Sequence, residues 1–225
     1  MKKLITLILG ITLVYSCSTS SDGNSQSLNV PGPDVTDVEG NVYHTVTNCN
    51  QTWTKTNLNV SKYRNGDVIP LVTDPTVWAN LTTGAWCYYN NDPANGVIYG
   101  KLYNWYAVND SRGLAPLGYH IPTEVEWTTL KTCLGGQLAW FKMKETGTTH
   151  WISTNLDATN SSGFTGLPGG YIYSSGLFYN IGNIGFWWSS TAFDTIQSNC
   201  VLLENNIAIT TDLKKNGYSV RCVKD

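Results

Sequence analysis

The side chains of this 225-residue chain that could catalyse a reaction are three histidines and one closely spaced pair of carboxylates. His44, His120 and His150 are far apart, and none lies in HExxH or another spacing that holds a metal ion. Glu124 and Glu126 fall in the first turn of a predicted helix, where the helix dipole favours acids. No GxSxG or phosphate-loop motif is present. We therefore predict a protein that is not an enzyme and that uses no metal or cofactor.

One cysteine near the start of the chain has the context of a lipid-attachment site. Two lysines precede an apolar run at residues 4–14, which is shorter than the roughly 20 residues of a membrane-spanning helix. This pattern is typical of a secretory signal peptide. The following Val-Tyr-Ser-Cys at residues 14–17 resembles a bacterial lipobox, although Tyr15 is bulkier than the usual occupant. We predict lipidation of Cys17; the alternative is an ordinary signal peptide with an incidental cysteine.

Five cysteines follow the predicted lipid site, which allows at most two disulfides and leaves one thiol. An exported protein can keep disulfides because its compartment is oxidising. No CxxC motif or Cys/His cluster has zinc spacing, so structural roles are expected. The five residues are Cys49, Cys87, Cys133, Cys200 and Cys222.

The composition favours an uncharged, aromatic-rich surface. Charged residues make up 13% of the chain and aromatic residues 12%. Without the two lysines of the signal peptide, the net charge falls from −2 to about −4. No basic stripe is present, so nucleic acid is not expected as a partner. Secreted, β-rich binding proteins have this composition, and so do loop-rich folds without a partner.

The pattern of residues divides the chain into three parts. Residues 18–33 are rich in Ser, Asn, Gly and Pro and cannot bury a core, which predicts a flexible tether. We expect a signal peptide at residues 1–16, a lipidated N-terminus with its tether at 17–36, and one folded domain at 37–225.

Within the domain, the sequence predicts an α+β fold, in which the helices come early in the chain and most of the strands follow them. A helix beginning after Thr123 has the capping-box pair Thr123 and Glu126 and ends at Gly135-Gly136. A second, short helix is predicted at 99–108, and a hairpin around residues 48–50. Strands are predicted at 42–47, 51–58, 170–173, 177–184, 199–204, 207–211 and 218–223.

Six strings in a fixed order resemble one known family. They are GAWCYYNND at 84–92, YGKLYNWYA at 99–107, HIPTEVEW at 120–127, LPGGY at 167–171, WWSS at 187–190 and YSVRC at 218–222. Together they resemble the Fibrobacter succinogenes major paralogous domain, which is similar to formylglycine-generating enzymes and C-type lectins. The resemblance implies two helices, small antiparallel sheets and long irregular loops. It also implies that Cys87 and Cys222 are the family's usual cysteines and can pair. Cys49, Cys133 and Cys200 stand where the family has other residues, and a Cys133–Cys200 bridge is one pairing that the sequence leaves open.

The resemblance does not supply a reaction. Formylglycine-generating enzymes use two cysteines close together near the C-terminus, whereas Cys200 and Cys222 are distant in sequence. The Glu-Pro-Asn and Gln-Pro-Asp motifs of calcium-dependent lectins are absent as well. The expected function therefore depends on a surface that binds without metal, for example by stacking aromatic side chains on a glycan.

The C-terminal third carries the candidate binding residues. Its Tyr, Ser, Thr, Asp, Ile and Phe content resembles the region that diversity-generating retroelements rewrite in one group of C-type-lectin-like proteins. We expect a lipid-anchored binding or adhesion protein of the outer membrane or cell surface, with a protein or glycan ligand. The alternatives are a structural envelope component without a ligand and a polysaccharide-acting enzyme. The candidate ligand-binding residues are Tyr171, Tyr173, Ser175, Tyr179, Asn183, Asp194, Asn199 and Asn205.

Overall fold

A computed structural model describes residues 27–152 and 155–225. The predicted signal peptide, Cys17 and the first part of the predicted tether lie outside the described residues. Within the described ranges, no helix has the length and apolar character needed to cross a membrane.

The described residues form five short α-helices and three antiparallel sheets, which confirms the α+β class. The helices are α1 (Pro75–Ala79), α2 (Pro93–Tyr99), α3 (Trp105–Val108), α4 (Glu124–Cys133) and α5 (Ala139–Met143). The strands are β1 (Val30–Thr36), β2 (Val42–Asn48), β3 (Gln51–Thr54), β4 (Trp86–Cys87), β5 (Leu102–Asn104), β6 (Tyr119–His120), β7 (Gly169–Ile172), β8 (Phe178–Ile181), β9 (Gly185–Ala192), β10 (Gln197–Leu203), β11 (Ile207–Leu213), β12 (Gly217–Tyr218) and β13 (Val223–Lys224).

The last two strands complete two of the sheets. The first sheet has the order β1-β2-β3-β13-β6, and the second has the order β4-β5-β12-β7-β8. The third sheet, β11-β10-β9, consists of consecutive antiparallel neighbours. Because β12 and β13 lie inside their sheets, the end of the chain joins segments that are distant in sequence.

Helix α4 begins and ends where local sequence signals predict. The Thr123 hydroxyl accepts from the Glu126 backbone N–H, and the Glu126 carboxylate accepts from the Thr123 N–H, which is a complete capping box. Trp127 and Leu130 are fully buried on one face. Gly135, at φ +112°, turns the chain after the helix.

The predicted helix at 99–108 is wrong. Gly100 adopts φ +74°, a conformation that ends α2, and β5 then pairs with β4 and β12. Only Trp105–Val108 is helical in the second half of that segment. The apolar periodicity in this stretch reflects side chains buried by distant strands rather than one helical face.

The predicted tether is too long at its C-terminal end. Residues Val30–Thr36 form β1, an edge strand paired with β2 from Val30 opposite Thr47 to Thr36 opposite Val42. Pro31 and Pro33 lack the backbone N–H of other residues, and such residues are tolerated at a sheet edge. The β2–β3 hairpin itself is confirmed, although β3 ends at Thr54.

Two tryptophans in β9 connect the two largest groups of buried apolar side chains. Trp187 and Trp188 are both fully buried and point to opposite faces of the third sheet. The Trp187 indole donates to Asn57 Oδ1 at 2.8 Å, and the Trp188 indole donates to the Tyr103 carbonyl at 2.7 Å. Their polar atoms are therefore satisfied within the core.

Arg221 is buried without a carboxylate partner among the described residues and is held by oxygen atoms of two segments. Its Nε donates to Asn57 Oδ1 at 2.6 Å, and one terminal nitrogen donates to the carbonyls of Thr54 and Phe164. The other terminal nitrogen donates to the Thr165 carbonyl at 3.0 Å. The guanidinium thus joins the chain end to the segment after β3 and to the loop before β7.

The expected disulfide pairs are wrong. The structure pairs Cys49 with Cys133, at a Cα–Cα distance of 6.3 Å, and thereby links the β2–β3 turn to the end of α4. Cys87 is buried in the group around Trp78, apart from the group that contains Cys200 and Cys222, and all three are free thiols. Burial raises the pKa of each thiol, so these cysteines stay protonated and unreactive.

Candidate functional site

Three tyrosines share one face of the β7–β8 hairpin, which we call the tyrosine face. Tyr171 lies opposite Tyr179 in the strand pairing, with ring centroids 5.7 Å apart. Tyr173, two residues further along, lies opposite Leu177 and is on the same side. Tyr173 is 40% exposed and Tyr179 42% exposed. The structure therefore presents two aromatic rings to solvent beside a half-buried third.

Buried aromatic rings support this face from below. The Tyr171 ring packs edge-on against Phe186 at 5.0 Å and against Tyr218 at 5.8 Å. Phe186 and Tyr218 are themselves stacked at 4.8 Å. Partial burial raises the pKa of Tyr171, and the nearby Asp212 carboxylate raises it further. Tyr171 is therefore neutral, and the tyrosine face rests on packed aromatic rings.

Most of the other predicted binding residues lie apart from the tyrosines. Ser175 and Asn183 are exposed in the turns at opposite ends of β8. Asp194 and Asn205 lie in the turns at opposite ends of β10, roughly 20 Å apart by strand geometry. Asn199 faces away from Cys200 and thus away from the tyrosine face. One hairpin thus carries Tyr171, Tyr173 and Tyr179, with Ser175 in its turn, while Asp194, Asn199 and Asn205 lie in or beside another strand, β10.

Asp194 has a structural role in the β9–β10 turn. Its carboxylate accepts the backbone N–H groups of Ile196 and Gln197 at 2.7 and 2.6 Å, which closes the β9–β10 turn. Its carbonyl accepts from the Lys214 ammonium at 2.6 Å. We therefore assign Asp194 to turn geometry rather than to the tyrosine face.

Each histidine pairs with a carboxylate at a separate place. His44 contacts Asp34, and His150 contacts Glu145, both at 2.8 Å. Among the described residues, no serine or cysteine side chain hydrogen-bonds to a histidine ring, as a nucleophile and base would require. The described residues also contain no group of three or more His, Cys, Asp or Glu side chains placed to hold a metal ion.

His120 joins helix α4 to the chain end. Its ring nitrogens lie 2.8 Å from Glu126 Oε1 and 2.7 Å from Asp225 Oδ1. Partial burial lowers the pKa of His120, but hydrogen bonds to Asp225 and Glu126 outweigh it, and the pKa is raised above 6.5. The arrangement gives His120 a structural role beside the helix cap.

Comparison with known proteins identifies the family. The family model described as the Fibrobacter succinogenes major domain matches residues 46–224. The chain belongs to this family. The family domain contains the tyrosine face, the disulfide and Arg221, whereas β1 and the start of β2 precede the match. No curated protein and no solved structure matches the chain.

The family domain also contains a concave surface, separate from the tyrosine face, that the sequence did not predict. It lies between the loop after α1 and the turn after α3, and its volume is about 400 Å³. The sequence signal was weak, because residues 109–113 read only as a turn that ends a helix. Its opposite wall, at residues 82–84, comes from a segment more than 20 residues earlier.

Proposed function

We propose that this chain is an exported, lipid-anchored surface protein that binds a protein or glycan ligand through the tyrosine face. The observation that carries the proposal is the pair of exposed rings, Tyr173 and Tyr179, on a hairpin backed by buried aromatics. Tyrosine suits recognition because it offers a large apolar surface and a hydroxyl at little entropic cost. The hairpin's fixed register places the rings side by side before any ligand arrives.

An array experiment tests the binding proposal. The processed chain carrying Cys17→Ser is applied to glycan and protein arrays, and saturable binders are measured by titration. Replacing Tyr173 and Tyr179 with alanine should weaken binding by about 30-fold, which corresponds to the loss of about 2 kcal/mol of contact energy. The matched control replaces Phe193 and Ile196, two side chains that are each 62% exposed in another turn. This control should bind like the parent.

A reproducible ligand whose affinity is unchanged by the tyrosine replacements would contradict the assignment to this face. The absence of any saturable ligand would favour a structural role in the cell envelope. Turnover of a polysaccharide by the purified protein would favour an enzyme, which the described histidine geometry does not support.

The lipid anchor is supported by the motif at residues 14–17 and has its own test. Cys17→Ser should move the protein from the membrane fraction to the soluble fraction, since a single exported domain then has no lipid. Retention in the membrane fraction after this change would contradict lipidation but would leave the binding proposal standing.

We also infer that the fold is C-type-lectin-like and that its binding surface can be diversified by a retroelement. The inference is supported by the family's resemblance to that fold and by the mixed helices and antiparallel sheets. A crystal structure superposed on lectin folds tests the first part. A reverse-transcriptase gene with an adenine-rich template repeat beside the coding sequence tests the second, and its absence would contradict it.

A further inference from the structure

The concave surface between residues 82–84 and the turn after α3 is chemically different from the tyrosine face. We call it the polar cleft. Its lining combines two aromatic side chains with hydroxyl, amide and charged groups. Apart from Gly84, the lining residues are Thr82, Thr83, Trp105, Tyr106, Asn109, Asp110, Ser111 and Arg112. A volume of about 400 Å³ lies within the range of small-molecule sites. The cleft shares no residue with the tyrosine face.

One buried side chain ties the two walls of the polar cleft together. Asn104 is fully buried, and its Oδ1 accepts the backbone N–H groups of Ala85 and Ala107 at 3.0 and 3.1 Å. Its Nδ2 donates to the Thr83 carbonyl at 2.8 Å. The loop wall and helix α3 are therefore fixed relative to each other, as a preformed site requires.

Gly84 allows the walls to approach closely. A Cβ at this position would overlap the Tyr63 hydroxyl and press on the Ala107 backbone. The Tyr63 hydroxyl, buried against Gly84, has no hydrogen-bond partner among the described residues. Burial and the neighbouring Asp110 carboxylate raise the pKa of Tyr63 to about 12, so this hydroxyl is neutral at physiological pH. Tyr63 is not among the residues that line the cleft, so its hydroxyl packs against the wall at Gly84 and is not offered to a ligand.

Several polar side chains at the rim of the polar cleft have no hydrogen-bond partner among the described residues. Within the described residues, the side chains of Thr82, Tyr106, Asn109 and Ser111 make no hydrogen bond to other protein groups. Buried polar side chains elsewhere, such as Asn104, are engaged in several. The rim groups are thus free to bond a molecule that enters the cleft.

The charges around the polar cleft are balanced. Arg112 donates Nε and one terminal nitrogen to the Asp110 carboxylate, each at 2.8 Å, and the other terminal nitrogen to Asp67 at 3.2 Å. The Lys214 ammonium lies 4.5 Å from the Trp105 ring centroid and already donates to two carbonyls. In the lining itself one cation, Arg112, is neutralised by one carboxylate, Asp110, so nothing selects a phosphate or carboxylate ligand. Both Asp110 oxygens are occupied by Arg112, which also leaves no free carboxylate for a cation.

We propose that the polar cleft binds a neutral, hydroxyl-rich ligand with the chemistry of one or two uncharged sugar rings. A sugar hydroxyl both donates and accepts, so it can give a hydrogen bond to the Asn109 amide oxygen while it accepts one from the Thr82 or Ser111 hydroxyl. The half-buried Tyr106 ring offers an apolar face for the C–H face of the sugar. This inference stands apart from the tyrosine face and holds or fails independently of it.

A panel of simple sugars tests the proposal. The processed chain with Cys17→Ser is titrated with methyl glycosides of glucose, galactose and mannose, with cellobiose, maltose and lactose, and with glucuronate as the charged counterpart. Saturation-transfer NMR detects binding, and tryptophan fluorescence gives the affinity, because Trp105 lines the cleft. We expect saturable binding of at least one neutral sugar and weaker binding of glucuronate.

Variants on the two surfaces locate that binding. Tyr106→Ala should weaken it by about tenfold or more, whereas Tyr173→Ala with Tyr179→Ala should change it less than about twofold. If Tyr106→Ala fails to give the parent's near-ultraviolet circular dichroism, the exposed pair Thr82→Ala and Asn109→Ala decides instead.

Three results would overturn the proposal of a neutral sugar site. They are no saturable binding across the panel, a preference for glucuronate over methyl glucoside, and unchanged affinity in the folded cleft variants. Sugar binding that is lost only with the tyrosine-face variants would place the sugar there, so failure of this inference is distinguishable from failure of the proposed function.

Discussion

Replacing Arg221 with methionine is expected to lower the free energy of unfolding by about 3–5 kcal/mol. The change removes a guanidinium that is 1% exposed and that makes four hydrogen bonds at 2.6–3.0 Å. Methionine fills much of the same volume but donates nothing. The chain end would then be joined to the segment after β3 and to the loop at residues 164–165 by packing alone.

The magnitude follows from the oxygens that Arg221 would leave behind. The carbonyls of Thr54, Phe164 and Thr165 lose their guanidinium donors, and each unsatisfied buried acceptor costs about 1–3 kcal/mol. Asn57 Oδ1 keeps its bond from the Trp187 indole. The gain from no longer burying a charge offsets part of this loss. Burial lowers the pKa of Arg221 to about 9, which still leaves it protonated at neutral pH.

Urea unfolding followed by tryptophan fluorescence measures this effect at pH 7. The midpoint should fall while the slope against urea stays constant, which marks a change in stability and not in the unfolded state. Lys62→Met is the matched control because Lys62 is exposed, and it should stay within about 0.5 kcal/mol of the parent. A folded Arg221→Met variant as stable as this control would refute the reasoning, since the carbonyls would then have found other donors.

Three further predictions concern stability. Thr123→Ala removes half of the α4 capping box and should cost about 1 kcal/mol in urea unfolding, whereas Thr129→Ala on the exposed helix surface should cost less. Because the folded pKa of His120 is raised, its stabilising contribution is full below pH 6.5 and is lost as pH rises through the folded pKa. The urea midpoint should therefore fall between about pH 6 and 8 more in the parent than in His120→Gln, and equal falls would contradict this. Reducing the Cys49–Cys133 bond frees a segment of 84 residues and should lower stability by about 4 kcal/mol, with Cys49→Ser showing no effect of reductant.

The parts of the fold that could be predicted from the sequence are those set by neighbouring residues. The α4 boundaries follow from a capping residue and a glycine, and the β7–β8 and β10–β11 hairpins follow from short polar turns. The β5 strand could not be predicted this way, because its partners β4 and β12 are supplied by distant segments. The helix predicted there failed for that reason.

The candidate sites show the same division. Tyr171, Tyr173 and Tyr179 were predictable together because one hairpin carries all three. The separation of Asp194 from Asn205 was also predictable, because the two residues flank the strand that the sequence predicts at 199–204. The polar cleft and the Cys49–Cys133 pair both join segments that only the folded chain brings close.

The Cys49–Cys133 bond also decides how the domain responds to pulling. In a chain held at its N-terminus, tension enters at Ser27, whose carbonyl accepts from the Cys49 N–H, and runs first along β1 and β2. Those strands can peel away, but the load then reaches a covalent link to the end of α4. Peeling of β1 and β2 releases roughly 20 residues, an extension of about 75 Å, and the load then passes through the bond to Cys133 and bypasses the segment between the two cysteines, which carries the polar cleft. The cross-link would thus shield the polar cleft from the direct path of force, whereas the tyrosine face depends on the non-covalent packing of its own sheet.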